Sequence, residues 1–203
     1  ARFVYVGHDP AAPQAEAIVV PKGSAITSVA QLKGRKVALN KGSNVHYLLV
    51  KALEKQGLKF SDVQAVYLPP ADARAAFERG AVDAWVIWDP FLAAAEKLLG
   101  ARVLATAEGV VKNRAYYFTS RDFATRNTDV LRVALEEVNQ VERWAQKNPA
   151  AAAQELSRIL GLDVSVTALF VGRMAYGAVA VDGAILAEQQ AIADTFYDLK
   201  LIP

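Results

Sequence analysis

Residues 36–105 alternate short apolar stretches with longer amphipathic ones, and this alternation restricts the chain to few folds. The apolar stretches predict buried strands, and the amphipathic stretches predict helices that bury one face. The predicted strands are 36–39, 64–68, 84–87 and 102–105, and the predicted helices are 45–56, 71–79 and 90–99. Strands that alternate with helices are typical of βαβ units, so we expect a parallel sheet covered by helices.

The segments on either side of this unit differ from it. Short strands are predicted at 3–6 and 17–20, and a last strand at 115–120. Beyond a boundary near residue 115 only helices are predicted, at 129–146, 149–160, 165–171 and 184–199. Residues 1–7 are typical of the tail of a strand entered in mid-structure, so we expect the chain to be incomplete at its N-terminus.

Composition excludes several kinds of functional site. The 203 residues include no cysteine and two histidines, which excludes disulfides and thiol nucleophiles and disfavours a metal centre or a Ser-His-Asp triad. The formal net charge of +2 provides no strong field for nucleic acid. No apolar run approaches the roughly 20 residues that span a bilayer. We therefore expect no catalytic residues, no metal, no cofactor and no nucleic-acid partner.

The run KGSNVH at 41–46 follows the predicted strand 36–39 directly. Gly42 can adopt the positive φ of a sharp turn, and Ser43 or Asn44 can cap the helix that follows. The start of a helix exposes unpaired N–H groups and attracts anions. An ordinary strand-to-helix connection explains the same residues, and His46 is either a structural histidine or a donor to an anion.

The run WVIWDP at 85–90 is the second informative stretch. Trp88 leaves a strand, where its indole can form one wall of a pocket. Asp89 stands before Pro90, a position typical of a helix N-cap, and direct ligand contact is the alternative. Ligands of parallel sheets collect at the carboxyl ends of the strands. This rule predicts that segments 40–44, 69–72 and 88–90 meet at one rim.

Several runs resemble one protein family over nearly the whole chain. They are YVG (5–7), AEAIVVPKGS (15–24), LKGRKVALNKGSNVH (32–46), GLKFSDVQAVYLPPADARAAFERGAVDAWVIWDP (57–90) and FYDLKLIP (196–203). These runs are similar to those of aliphatic-sulfonate-binding proteins, the periplasmic receptors of ABC importers, which are grouped with taurine- and nitrate-binding proteins.

The resemblance implies an α/β type II periplasmic-binding-protein fold, with two α/β lobes and a ligand cleft between them. Residues 1–24 would belong to lobe I and the hinge, residues 25–114 would form lobe II, and residues 115–203 would return to the helices of lobe I. The first lobe would lack its N-terminal part. Hinge segments are expected near 17–20 and 116–119.

The resemblance also implies a set of ligand-binding residues. The helix start would supply donors, the strand exit would line the cleft, two tyrosines would approach from the hinge strand, and one arginine would supply the counter-charge. These residues are Ser43, Asn44 and His46; Trp88 and Asp89; Tyr116 and Tyr117; and Arg173. For Arg173 the alternative is an exposed arginine in a surface loop.

The function implied is that of a monomeric receptor for alkanesulfonates or a related small organic anion. The receptor would be periplasmic, or extracytoplasmic and lipid-anchored, and its partner would be the membrane permease of an ABC importer. Taurine and nitrate receptors are alternatives within the family. A thiamin-pyrimidine synthase-like enzyme and an effector-sensing domain are alternatives on the same fold.

Overall fold

The computed structural model describes residues 2–203 and contains two β-sheets. Ala1, the first residue of the expected strand tail 1–7, lies outside the described residues. The strands are β1 (Phe3–His8), β2 (Glu16–Val20), β3 (Lys36–Leu39), β4 (Gln64–Tyr67), β5 (Ala84–Trp88), β6 (Arg102–Thr106) and β7 (Tyr116–Ser120). Five of them form one sheet in the order β4-β3-β5-β2-β6, and β1 pairs with β7 in a second sheet. Every predicted strand is therefore present.

The five-stranded sheet is mixed, and the prediction of a parallel sheet is wrong for one strand. β3 pairs in parallel with β4 and β5, whereas β2 runs antiparallel to both β5 and β6. A parallel neighbour needs a crossover connection, usually a helix. β2 enters the large sheet from β1, a strand of the other sheet, through the connection 9–15, so it is not the second strand of a βαβ unit.

Burial explains why β2 occupies an inner position of the sheet. All five of its residues are buried. Ile18 and Val20 contribute to the core on one face of the sheet, and Ala17 and Val19 contribute to the core on the other. A strand that is apolar on both faces needs a covering layer on each, and helices provide it here.

The helices were largely predicted. They are α1 (Asn44–Glu54), α2 (Pro70–Glu78), α3 (Phe91–Leu99), α4 (Arg121–Arg126), α5 (Thr128–Lys147), α6 (Pro149–Leu160), α7 (Val164–Arg173) and α8 (Gly183–Asp198). Only the short α4 was not predicted. α1 covers one face of the large sheet through Leu48, Leu49 and Leu53. Phe77 of α2 and Leu92 of α3 belong to the core on the opposite face.

The part of the chain built on the small sheet buries less apolar surface than the part built on the large sheet. α5 has no buried residue along its 20 positions, and Val141 and Trp144 on it are exposed. Phe3 of β1 and Phe118 of β7 contact each other edge to face and are both exposed. Within residues 2–203 no helix combines the length and the apolarity that crossing a membrane requires.

The division of the chain at residues 24 and 114 stays a proposal. β7 begins at Tyr116 in the small sheet, close to the expected second boundary. The pairing of β2 with β5 and β6 places residues 16–20 in the large sheet. This pairing favours a first boundary earlier in the chain, in the connection 9–15.

The core between α1 and the large sheet should dominate stability. Leu49 is fully buried there, so Leu49→Ala should lower the free energy of unfolding by about 2 to 5 kcal/mol through lost burial and a cavity. Leu98→Ala removes the same atoms from a side chain that is 52% exposed and should cost far less. Urea denaturation of both variants measures the difference, and equal losses would contradict this description of the core.

Candidate functional site

The candidate site lies at one rim of the large sheet. β3, β5 and β6 end at this rim and β2 begins there, because β2 is antiparallel. The pairing of Glu16 with Trp88 joins the first residue of β2 to the last residue of β5. β4 ends at the same rim because it is parallel to β3, as predicted. The segment 69–72 that follows it lines neither cavity, because β4 is the edge strand farthest from β2 and β6.

Two adjoining cavities open at the rim. The larger cavity, about 560 Å³, lies between the start of α1, the loop 109–114 and α8. The smaller cavity, about 220 Å³, lies between the end of β5, the segment after β1 and the end of α7. Both are bordered by Asn44, Asn113 and Arg114. These three residues therefore stand at the junction of the cavities.

The start of α1 is the main group of free donors at the rim. Ser43 occupies the N-cap position, as predicted, but its side chain makes no capping hydrogen bond. Its Oγ donates instead to the carbonyl oxygen of Asn40, at 2.8 Å. Within residues 2–203 the backbone N–H groups of Ser43, Asn44 and Val45 have no acceptor. Three peptide donors and the positive end of the helix dipole are thus left for an anion.

Asn44 borders both cavities, but its side-chain amide already donates two hydrogen bonds within the protein. Nδ2 donates to Oε2 of Glu16 at 2.6 Å and to Oδ1 of Asn113 at 3.2 Å. An amide nitrogen carries two protons, so neither remains for a ligand. The Asn44 side chain therefore makes its hydrogen bonds within the protein. It ties the start of α1 to β2 and to the loop before β7.

His46 lies outside both cavities, which favours the structural alternative over a donor to the ligand. Its Nδ1 accepts the backbone N–H of Gly42 at 3.1 Å, which holds the turn that Gly42 makes with φ of 72°. Its ring packs between Phe60, Tyr67 and Phe196. Burial lowers the pKa of His46 to about 4, so the ring is neutral and structural.

Trp88 and Asp89 line the smaller cavity, as expected. Oδ1 of Asp89 accepts the N–H of Ala93 at 2.8 Å, so the carboxyl covers the start of α3. Burial raises the pKa of Asp89 to about 6. Its Oδ2 is buried without a partner in the described chain. The N-cap position of α3 belongs to Pro90 and not to Asp89 as predicted, but Asp89 covers the helix start from the preceding position and also lines the cavity.

The two tyrosines of β7 face opposite sides of the strand. Tyr116 lines the larger cavity, and its hydroxyl donates to Oε1 of Glu188 at 3.3 Å. Tyr117 donates to Oε1 of Glu142 at 2.8 Å and lines neither cavity. Successive strand residues point to opposite faces, so Tyr116 lies beside a cavity and Tyr117 is turned away from both.

Arg173 does not line either cavity, although it was the expected counter-charge. Its guanidinium pairs with Asp89 at 3.4 Å and with Glu96 at 2.5 Å, so two carboxylates already neutralise it. The cationic side chain that borders both cavities is Arg114. It pairs with Glu188 at 3.3 Å and donates to the carbonyl oxygen of Asp9.

Two residues of this rim were missed by sequence reasoning. Glu16 is a lone acid at the start of an otherwise apolar strand, and Arg114 directly precedes the last strand. Both are signals that the sequence contains. The assumption of a purely parallel sheet concealed Glu16, because it placed the amino end of β2 at the opposite edge. Within residues 2–203 no group of three His, Asp or Glu side chains is arranged to hold a metal ion.

Glu16 should leave a measurable pH signature on stability. Burial raises its pKa to about 8, against about 4.5 in an unfolded chain. The folded state therefore favours the protonated acid, and this contribution is fully present below pH 4.5 and is lost as the pH rises through 8. Glu16→Gln should remove that loss and gain a few kcal/mol over the wild type at pH 8, but little at pH 4.5.

Urea denaturation of both proteins between pH 4.5 and 8.5 measures this effect. Taking the difference between the two cancels all other titrating groups. A difference that does not change with pH would contradict a buried, protonated Glu16.

Comparison with known proteins places this geometry in a family. Residues 12–152 match the family model described as NMT1/THI5 like. The chain is 39% identical over 204 aligned residues to the putative aliphatic sulfonates-binding protein of Escherichia coli, covering all of this chain and 64% of that protein. The chain thus spans slightly less than two thirds of the length of that relative.

Solved structures agree with this match. The periplasmic aliphatic sulphonate binding protein SsuA from Escherichia coli superposes with a TM-score of 0.95 at 39% identity, over 100% of this chain and 66% of that one. The alkanesulfonate-binding protein SsuA from Xanthomonas axonopodis pv. citri, solved bound to MOPS, gives a TM-score of 0.92 at 37% identity, over 100% and 71%. The predicted α/β periplasmic-binding fold is confirmed, and the chain belongs to the NMT1/THI5-like family.

Proposed function

We propose that this chain is the ligand-binding part of an extracytoplasmic receptor that takes up alkanesulfonates, or a related small organic anion, for an ABC importer. The observation that carries the proposal is the uncapped start of α1, with its free backbone N–H groups beside Arg114. The similarity to two sulfonate-binding proteins supports the same ligand class. A membrane permease is the partner that this function requires.

The chemistry of a sulfonate fits these donors. A sulfonate stays ionised at physiological pH and offers three acceptor oxygens, so it needs donors and no catalytic base. Peptide N–H groups at a helix start supply them without bringing a proton that could be lost. The guanidinium of Arg114 uses two of its five N–H groups on Glu188 and Asp9, which leaves donors for the ligand.

The organic part of the ligand needs apolar walls. Val110, Val111, Ile192 and Phe196 line the larger cavity, and Trp88 and Phe170 line the smaller one. An anionic head at the junction of the two cavities can therefore direct its tail into either. Ligand sites for drug-sized molecules are typically about 300 to 1,000 Å³, so the larger cavity accepts a bulky tail and the smaller one a short tail.

Location, assembly and turnover belong to the same proposal. A receptor of this kind acts as a periplasmic or lipid-anchored monomer and releases its ligand unchanged. A thiamin-pyrimidine synthase-like reaction needs a reactive histidine, whereas His46 is buried and neutral. The receptor function is therefore favoured over the enzyme, and alkanesulfonates are favoured over taurine or nitrate as the ligand class.

Thermal unfolding with a panel of anions tests the proposed function. A ligand at 100 times its dissociation constant stabilises by about 2.7 kcal/mol, which raises the midpoint of a chain of this size by roughly 5 to 10 °C. We expect this rise with alkanesulfonates and little or no rise with sulfate or nitrate. Mass spectrometry of the same samples should recover every sulfonate intact. No rise with any sulfonate, or release of sulfite, would contradict the proposal.

Arg114 should contribute much of the affinity. Because a charge-assisted hydrogen bond is worth roughly 1.5 to 3 kcal/mol, Arg114→Gln should weaken sulfonate binding roughly 10- to 100-fold. Arg158→Gln is the matched control, since that side chain is 74% exposed and pairs with Glu155 away from the cavities. Isothermal titration calorimetry measures both.

A double variant separates direct binding from charge balance. Arg114→Gln leaves Glu188 without its partner, and its uncompensated charge would repel an anion. Arg114→Gln/Glu188→Gln removes both charges. We expect the double variant to remain weak. Recovery of wild-type affinity would show that Arg114 only neutralises Glu188.

A further inference from the structure

Glu16 is a fully buried acid at the edge of the proposed anion site. It is the first residue of β2 and it lines the larger cavity, yet it has no exposed surface. Its carboxyl group has no part in the proposed function. Water and salt screen buried charges far less than exposed ones. A charge on Glu16 therefore acts on any anion that enters the cavity.

The carboxyl group of Glu16 has one side-chain donor and no cation beside it. Oε2 accepts from Nδ2 of Asn44 at 2.6 Å, whereas Oε1 is buried without a partner in the described chain. None of the ion pairs formed within residues 2–203 includes it. Burial raises the pKa of Glu16 to about 8. The group is therefore mainly the neutral acid at pH 7, and a moderate rise in pH ionises it.

The hydrogen bond to Asn44 connects this carboxyl group to the donors for the anion. Asn44 is the first residue of α1, and its own backbone N–H is one of the free donors at the helix start. A ligand oxygen bound to that N–H lies on the residue that Glu16 contacts. An ionised Glu16 repels the anionic head and cancels part of the positive potential of the helix start. The neutral acid does neither.

The other titratable groups of the larger cavity differ from this carboxyl group. Arg114 and Glu188 form an ion pair at 3.3 Å, so their charges offset each other. Burial raises the pKa of Tyr47 and raises the pKa of Tyr116 to about 12, so both hydroxyl groups keep their protons up to pH 9. Lys112 also lines the cavity and is exposed. Its charge is the competing source of a pH effect on anion binding.

The strands on either side of Glu16 bring no charge next to it. Glu16 pairs with Trp88 of β5, and Thr106 of β6 lies beside Ala17. The acids that follow these two strands make their hydrogen bonds elsewhere, with the start of α3 and with Gln14; they are Asp89 and Glu108. The ionisation of Glu16 therefore depends on its burial and on what occupies the cavity.

We propose that Glu16 is a positioning residue that couples ligand binding to a proton, so that above neutral pH the receptor takes up a proton at Glu16 when an anionic head binds at the start of α1. This inference rests on the proposed function and adds a regulation of the same site. A bound anion makes ionisation of Glu16 more costly, so the acid keeps its proton to a higher pH in the complex than in the free receptor. By linkage, the affinity for the anion is constant at low pH and falls as the pH rises through 8.

Isothermal titration calorimetry with butane-1-sulfonate, in two buffers that differ in ionisation enthalpy, counts the protons taken up on binding. Two like charges about 10 Å apart raise a pKa by roughly one unit. A rise of that size gives an uptake of about half a proton at pH 8.5 and almost none at pH 6, and binding about fivefold weaker at pH 9 than at pH 7. Binding without proton uptake at pH 8.5 would overturn the inference and leave the proposed function standing. Binding of no alkanesulfonate at any pH would overturn the proposed function and the inference with it.

Two variants identify the group that takes up the proton. Glu16→Gln keeps the shape of the neutral acid and cannot ionise, so it should show no uptake and bind equally well at pH 7 and pH 9. Lys112→Gln is the matched control, because it removes the lysine that lines the same cavity, and its uptake at pH 8.5 should equal that of the wild type. Uptake that persists in Glu16→Gln, or is lost in Lys112→Gln, would overturn the assignment to Glu16. Circular dichroism checks that each variant folds, and the measurement on the wild type depends on neither.

Discussion

The antiparallel insertion of β2 between β5 and β6 is the constraint on which the rest of the rim depends. Because β2 runs against its neighbours, its first residue, Glu16, pairs with the last residue of β5, Trp88. Glu16 then reaches Asn44 at the start of α1, and Asn44 reaches Asn113 before β7. One short chain of hydrogen bonds thus links the large sheet, the helix that faces the ligand and the strand that returns to the small sheet.

The hydrogen bonds of this linkage use the polar side chains at the start of α1 and leave its first backbone N–H groups without an acceptor in the described chain. Asn44 and Ser43 bond within the protein, so the donors that remain are peptide N–H groups, which cannot titrate. Burial raises the pKa of Glu16 to about 8 and also raises the pKa of Asp9. Both acids at the rim therefore oppose a bound anion less than exposed carboxylates would.

The strands and most helices were predictable because their burial leaves a clear pattern in the sequence. β3 and β5 are apolar runs, and α1 repeats its apolar residues on one face. The direction of β2 was not predictable from such a pattern, since a strand buried on both faces looks the same in either direction. Site residues followed the same division: Trp88 ends a predicted strand and Ser43 stands at the predicted helix start, whereas the partners of Arg173 are side chains distant in sequence. The opposite orientations of Tyr116 and Tyr117 follow from strand alternation alone.

The central claim is that the free N–H groups at the start of α1 bind the anionic head, and amide chemical shifts test it most directly. A ¹H–¹⁵N correlation spectrum recorded during titration with an alkanesulfonate reports each peptide N–H separately. The account predicts the largest downfield shifts at Ser43, Asn44 and Val45, because a new hydrogen bond to an oxyanion deshields the amide proton. Saturable shifts elsewhere, with these three amides unmoved, would contradict it.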